Sequence, residues 1–101
     1  MYRVTAEIKN GEIVTKTIHF RYKETLNAYS ILSDDGRLID HVKKESVGVP
    51  FDYAKKENIK IWPQIMWTLN PDEAEQVLII RVQDEIQKRI DYVNSIKHLI
   101  K

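Results

Sequence analysis

Three histidines are the residues that could most readily do chemistry, and their placement argues against it. His19, His41 and His98 are scattered along the chain, and none has metal-ligand spacing to another histidine. The chain has no cysteine, which removes thiolate metal sites and disulfides and fits a reducing compartment. His98 reads as a cation at a helix C-terminus and His19 as a solvent-facing strand residue. Asp40-His41 and Asp34-Asp35 are the polar clusters that could be recruited to acid–base work. Neighbours on a strand point to opposite faces, so Asp40 and His41 make a poor dyad. Asp34-Asp35-Gly36 has the composition of a turn. The sequence contains no glycine-rich phosphate loop, nucleophile elbow or zinc-binding helix. It therefore assigns no catalytic residue, cofactor or metal ligand, and the expectation is a protein that is not an enzyme.

Binding chemistry has two candidates. Lys43, Lys44, Lys55, Lys56 and Lys60 are interleaved with Phe51, Tyr53 and Trp62, a mixture of cations and rings that can hold single-stranded nucleic acid by charge and stacking. Asp40, Glu45, Asp52 and Glu57 lie among them, and the whole chain carries a formal charge of only +1. No large positive field follows, and nucleic-acid binding is the alternative reading. Trp62 and Trp67 are either core residues or anchors for a protein partner.

These residues must be positioned by a small body. The 101 residues correspond to a single domain, 43% hydrophobic and 31% charged, which suits a globular protein rather than a disordered one. The first 20 residues alternate in polarity rather than forming the apolar block of a signal peptide. No apolar run approaches the roughly 20 residues that span a bilayer. A cytoplasmic protein that engages no membrane is the expectation.

The segment YRVTAEIK alternates strictly, with Tyr2, Val4, Ala6 and Ile8 on one face, as a half-buried strand does. Asn10-Gly11 is a turn signal, and EIVTKTIHF is the returning strand. Keeping Val14, Ile18 and Phe20 on the buried face requires even positions opposite even ones. That register favours a three-residue bulged loop, with Tyr2 facing Ile18, Ala6 facing Val14, and Lys16 as the one charge on the apolar face. Leu26, Tyr29 and Leu32 lie three apart and suggest a short helix. The alternation of Tyr29 and Ile31 before the turn at Asp34-Asp35-Gly36 fits a hairpin instead. Residues 37–42 read as a further strand. Pro50 can open a short helix through Lys56. Pro63 divides an apolar segment and suggests an edge strand or an extended segment that packs Ile61, Trp62, Ile65, Met66 and Trp67.

The C-terminal 30 residues carry the clearest signals. Asn70 is a good N-cap, Pro71 suits the first helical position, and Glu73 completes a capping box. A helix over 71–100 would be roughly 45 Å long, whereas a globule of this chain length is only about 30–35 Å across. Val77, Leu78, Ile79 and Ile80 point all round the axis and imply burial on every side. Beyond them the apolar stripe narrows to Val82, Ile86, Ile90, Val93, Ile96 and Ile100, with Arg89 beside it, at a spacing close to a coiled-coil seam. Such a stripe either lies across the domain's own sheet or calls for a partner. The sequence thus points to an α+β domain spanning 1–101, with an antiparallel hairpin extended to about three strands, a short helix or hairpin in the middle, and a long helix on the sheet. The expected function is a non-catalytic protein-binding module that associates with itself or another protein through this stripe, with Trp62 and Trp67 as further contacts. Small chains of this make-up can act as accessory regulators or inhibitors, including those of phages and mobile elements, and a role of that kind is the expectation.

Overall fold

The computed structural model describes residues 1–52 and 64–97. In chain order these form β1 (Tyr2–Lys9), β2 (Glu12–His19), β3 (Arg21–Glu24), β4 (Ala28–Leu32), β5 (Leu38–Lys43), β6 (Phe51–Asp52), β7 (Gln64–Thr68) and α1 (Pro71–Lys97). Two antiparallel sheets result, one ordered β2-β1-β7-β6 and the other β3-β4-β5. The architecture is α+β, with the long helix packed on the larger sheet.

The first hairpin corrects the register argument. Asn10 and Gly11 both have positive φ, 51° and 79°, and form a two-residue turn that pairs Lys9 with Glu12. Tyr2 therefore faces His19, Ala6 faces Thr15, and Ile8 faces Ile13. An even-to-even register suits a sheet buried on one face, whereas this sheet has apolar residues packed on both. Val4, Ala6 and Met66 lie under α1, joined by Ile8 and Ile13. On the other face Arg3 pairs with Trp67, and its guanidinium lies 5.2 Å from the Phe20 ring and 5.7 Å from the Trp67 ring. Ile18 and Val14 belong to that second face, as does Lys16, which is exposed opposite Thr5.

Residues 21–32 form a hairpin rather than the helix that the three-residue spacing suggested. Thr25 explains the difference: its hydroxyl exchanges hydrogen bonds with the main chain of Ala28 and closes the tight turn between β3 and β4. The bulged three-residue loop expected at the first hairpin occurs at this sheet's second turn instead. There the Gly36 N–H donates to the Ser33 carbonyl, and Gly36 takes φ 85°. The two sheets meet around Met1, Ile31, Val42 and Trp67, with Phe20 and Tyr29 alongside. Burial holds the Met1 amine below its ordinary pKa.

β7 is an inner strand, flanked by β1 and β6, and not the expected edge. It begins at Gln64; Pro63 lies outside the described residues. Phe51 and Asp52 are extended, not helical as the reading of Pro50 suggested; the remainder of that proposed helix, with Ile61 and Trp62, lies outside the described residues.

Helix α1 starts as the cap signals require. The Asn70 carboxamide oxygen accepts from the Glu73 N–H at 3.4 Å, and its amide donates back to the Glu73 carboxylate at 3.3 Å. Leu69, just before the cap, is half exposed. One narrow stripe, Ala74, Leu78 and Val82, is buried against the sheet. Two polar links fix the same region: the Thr15 hydroxyl to Glu75 at 2.9 Å, and the Arg81 guanidinium to the buried Gln64 side chain at 3.0 Å. Val77 and Ile80 are exposed, so the helix is not enclosed on every side. It covers one face of the sheet, while Trp67 lies beneath the other.

Candidate functional site

The helix outruns the sheet that anchors it. Its 27 residues span about 40 Å at 1.5 Å each. The last apolar pair beneath it is Ile8–Ile13, next to the Asn10-Gly11 turn, and Ile86, like that pair, is only partly buried against the core. From residue 90 to residue 95 every position is exposed. The molecule measures 60 × 22 × 21 Å, and its radius of gyration of 16.8 Å exceeds the roughly 13 Å of a compact chain of this length. The smaller sheet extends one end, around Met1 and Trp67, and the distal helix extends the other.

The stripe residues divide along this length. Val82 is fully buried and belongs to the core. Ile86 is partly buried at the edge of the core, and Arg89 and Ile96 are half-buried. Ile90 and Val93 are 47% and 48% exposed. Ile86, Arg89, Ile90, Val93, Asn94 and Lys97 border an apolar groove of about 380 Å³. Trp67, at 5% exposure, is a core residue between the sheets; Trp62 and Ile100 lie outside the described residues. The structure thus brings Ile86, Arg89, Ile90, Val93 and Ile96 onto one projecting surface and assigns Val82 and Trp67 to packing.

The polar clusters stay apart. The His41 ring lies 3.4 Å from the Ser30 hydroxyl, whereas the Asp40 carboxylate accepts from the His41 main-chain N–H at 2.7 Å and not from the ring. The Asp35 carboxyl is held below its ordinary pKa of 3.8, chiefly by the Ser33 hydroxyl and also by bonds from Arg37. These bonds stabilise the turn. His19 is exposed and stacks on Tyr2 with 4.7 Å between ring centroids; His98 lies outside the described residues. Among the described residues no three histidine or acidic side chains come together as a metal site.

The basic cluster is not assembled among the described residues. Lys44 is paired with Glu24 at 2.9 Å and sits over the Tyr29 ring, Lys43 is exposed on β5, and Tyr53, Lys55, Lys56, Lys60 and Trp62 fall outside them. Leu38, Ile39 and Val49, which no sequence motif singles out as binding residues, are substantially exposed on or near β5, as is Phe51 of the expected basic and aromatic cluster. No helix of the described residues is long and apolar enough to cross a membrane. The chain matches no protein-family model, no curated protein and no solved structure.

Proposed function

We propose that the protein is a small non-catalytic binding module that associates through the distal half of α1, and that the occupant of this surface is the same stripe on a second copy of the chain. The observation that carries this reading is the half-exposure of Ile90 and Val93 on a helix that extends past its own sheet. Self-complementarity favours a second copy. Ile86 and Val93 stand seven apart, as do Arg89 and Ile96, which is the period of a two-helix seam. Over residues 84–97, Asp84, Glu85 and Asp91 balance Lys88, Arg89 and Lys97, so a copy meets no net repulsion. Antiparallel pairing centred on residue 91 sets Arg89 against Val93 and Ile86 against Ile96. A parallel pair would stack Arg89 on Arg89.

The overlap is short, so the association is weak. Covering the exposed halves of Ile90 and Val93 contributes about 1 kcal/mol each, or roughly 4 kcal/mol over two copies, before ordering costs. The contacts at Ile86 and Ile96 add to this and the cost of association offsets it, so a dissociation constant of about 1 mM, and no tighter, is expected. Sedimentation of the full chain from about 10 μM to about 1 mM tests this. The mass is expected to rise toward that of a dimer, and the double change Ile90→Asp with Val93→Asp is expected to remain monomeric with its fold intact. A wild-type mass that stays monomeric across the whole range refutes self-association.

A further inference from the structure

The smaller sheet carries an open edge beside an apolar cleft. β5 is its outermost strand, and among the described residues no strand pairs with its outer side. The ladder between β4 and β5 continues into a bond from the Lys44 N–H to the Asn27 carbonyl at 3.0 Å. Inward and outward main-chain groups alternate along an antiparallel strand. Lys44 and Val42 therefore turn theirs toward β4, and His41 and Lys43 turn theirs outward. The outward His41 N–H already donates to an oxygen, the Asp40 carboxylate at 2.7 Å. That oxygen stands where the carbonyl of an added strand would accept.

Beside this edge lies a cleft of about 470 Å³, bordered by Val42, Lys43, Val49, Phe51 and Trp67 and by Asp40. Val49 and Phe51 are 51% and 43% exposed there. We propose that the edge and the cleft form a docking site for an extended peptide of alternating apolar and acidic residues, which adds to β5 as a further strand. The edge dictates the conformation, because only an extended chain presents carbonyls and N–H groups in register with His41 and Lys43. The cleft dictates every second side chain, which enters between Val49 and Phe51. Charge dictates the others, which lie on the face of β5 that carries His41 and the exposed Lys43, where carboxylates are favoured. β2, the long edge of the larger sheet, is guarded differently, by the exposed cation of Lys16 at its middle. On β5 the guard is Asp40, a short side chain that an incoming carbonyl displaces. This site is separate from the helix stripe and does not depend on it.

The test is a nitrogen-15 NMR titration of the full chain with a capped hexapeptide of alternating valine and glutamate. The amides of His41, Lys43, Val49 and Phe51 are expected to shift, and those of Leu78 and Val82 to stay in place. Asp40→Ala removes the competing acceptor and is expected to tighten binding about three- to tenfold. Phe51→Ala is expected to weaken it about tenfold, with the unchanged Leu78 and Val82 amides reporting that the fold is kept. The same peptide methylated at every amide nitrogen is expected not to bind, and a valine–lysine peptide to bind several-fold more weakly. Absence of shifts over residues 38–51 in both the wild type and Asp40→Ala would overturn the site. Equal binding of the methylated peptide would overturn strand addition, and equal binding of the lysine peptide would overturn the preference for acidic residues.

Discussion

Truncating one apolar residue in each half of the helix measures where the protein's own core ends. Leu78 is fully buried against the sheet, whereas Val93 is 48% exposed. Leu78→Ala removes three carbons, about 2.4 kcal/mol of transfer free energy, and leaves a cavity that raises the total to about 2–5 kcal/mol. Val93→Ala removes two carbons at half burial, about 0.8 kcal/mol. Alanine's better helix propensity returns about 0.5 kcal/mol, so the net change is roughly 0–0.5 kcal/mol. For a domain of this size the first substitution lowers the melting temperature by about 10–30 °C and the second by no more than about 4 °C. Urea unfolding followed by circular dichroism, at about 5 μM so that pairing contributes nothing, reads both. A loss of 2 kcal/mol or more at Val93 would mean that the distal stripe is core, and the associating-surface reading would fail with it.

Three further outcomes follow from local geometry. Gly11→Ala meets open space but must hold φ near +79°, so it is expected to destabilise by about 1–2 kcal/mol through backbone strain alone; a neutral result in urea unfolding would remove the two-residue turn. Asn70→Ala removes the N-cap and is expected to lose about 1 kcal/mol by the same assay, with the first helical turn fraying. The folded pKa of Asp35 lies below its ordinary 3.8, so its contribution is present above that value and disappears as pH falls through the folded pKa. Asp35→Asn should abolish that acid-side change, and a carboxyl titration midpoint at or above 3.8 by NMR would contradict the turn geometry.

What the sequence disclosed, and what it concealed, follows the range of the interactions. The alternation of β1 and the capping box of α1 depend on neighbours within four residues, and both were legible. The register of the first hairpin depended on whether the sheet is covered on one face or two. Only a distant partner, Trp67 against the ring of Phe20, decides that, and the alternation of residues 1–20 does not report it. The spacing of Leu26, Tyr29 and Leu32 imitated a helix, but Leu26 is 87% exposed, Tyr29 packs between the sheets and Leu32 is only half-buried. Four consecutive apolar residues, Val77–Ile80, suggested an enclosed helix. The chain encloses only Leu78 and half-buries Ile79, because a single sheet lies beneath one side. The edge of β5 was unreadable for another reason: an open strand edge is a property of sheet order, and sheet order is set by pairings between segments far apart in sequence.

The division of the helix also has a dynamic consequence. In its proximal half, the Asn70–Glu73 cap, the Glu75–Thr15 and Arg81–Gln64 links and the buried Ala74, Leu78 and Val82 all oppose opening, so amides there exchange only when most of the domain unfolds. From residue 90 onward little tertiary contact opposes fraying. A gradient in native-state hydrogen exchange should therefore run along one continuous helix, with protection near the global stability at residues 78–82 and lower by several kcal/mol at residues 90–97 in dilute solution. Raising the concentration into the pairing range should lift the distal amides selectively, because only they are ordered by a partner, and leave the proximal ones unchanged. Uniform protection along α1 at low concentration would mean that the distal helix is held by its own domain, and a distal rise that fails to appear with concentration would mean that a second copy is not what covers it.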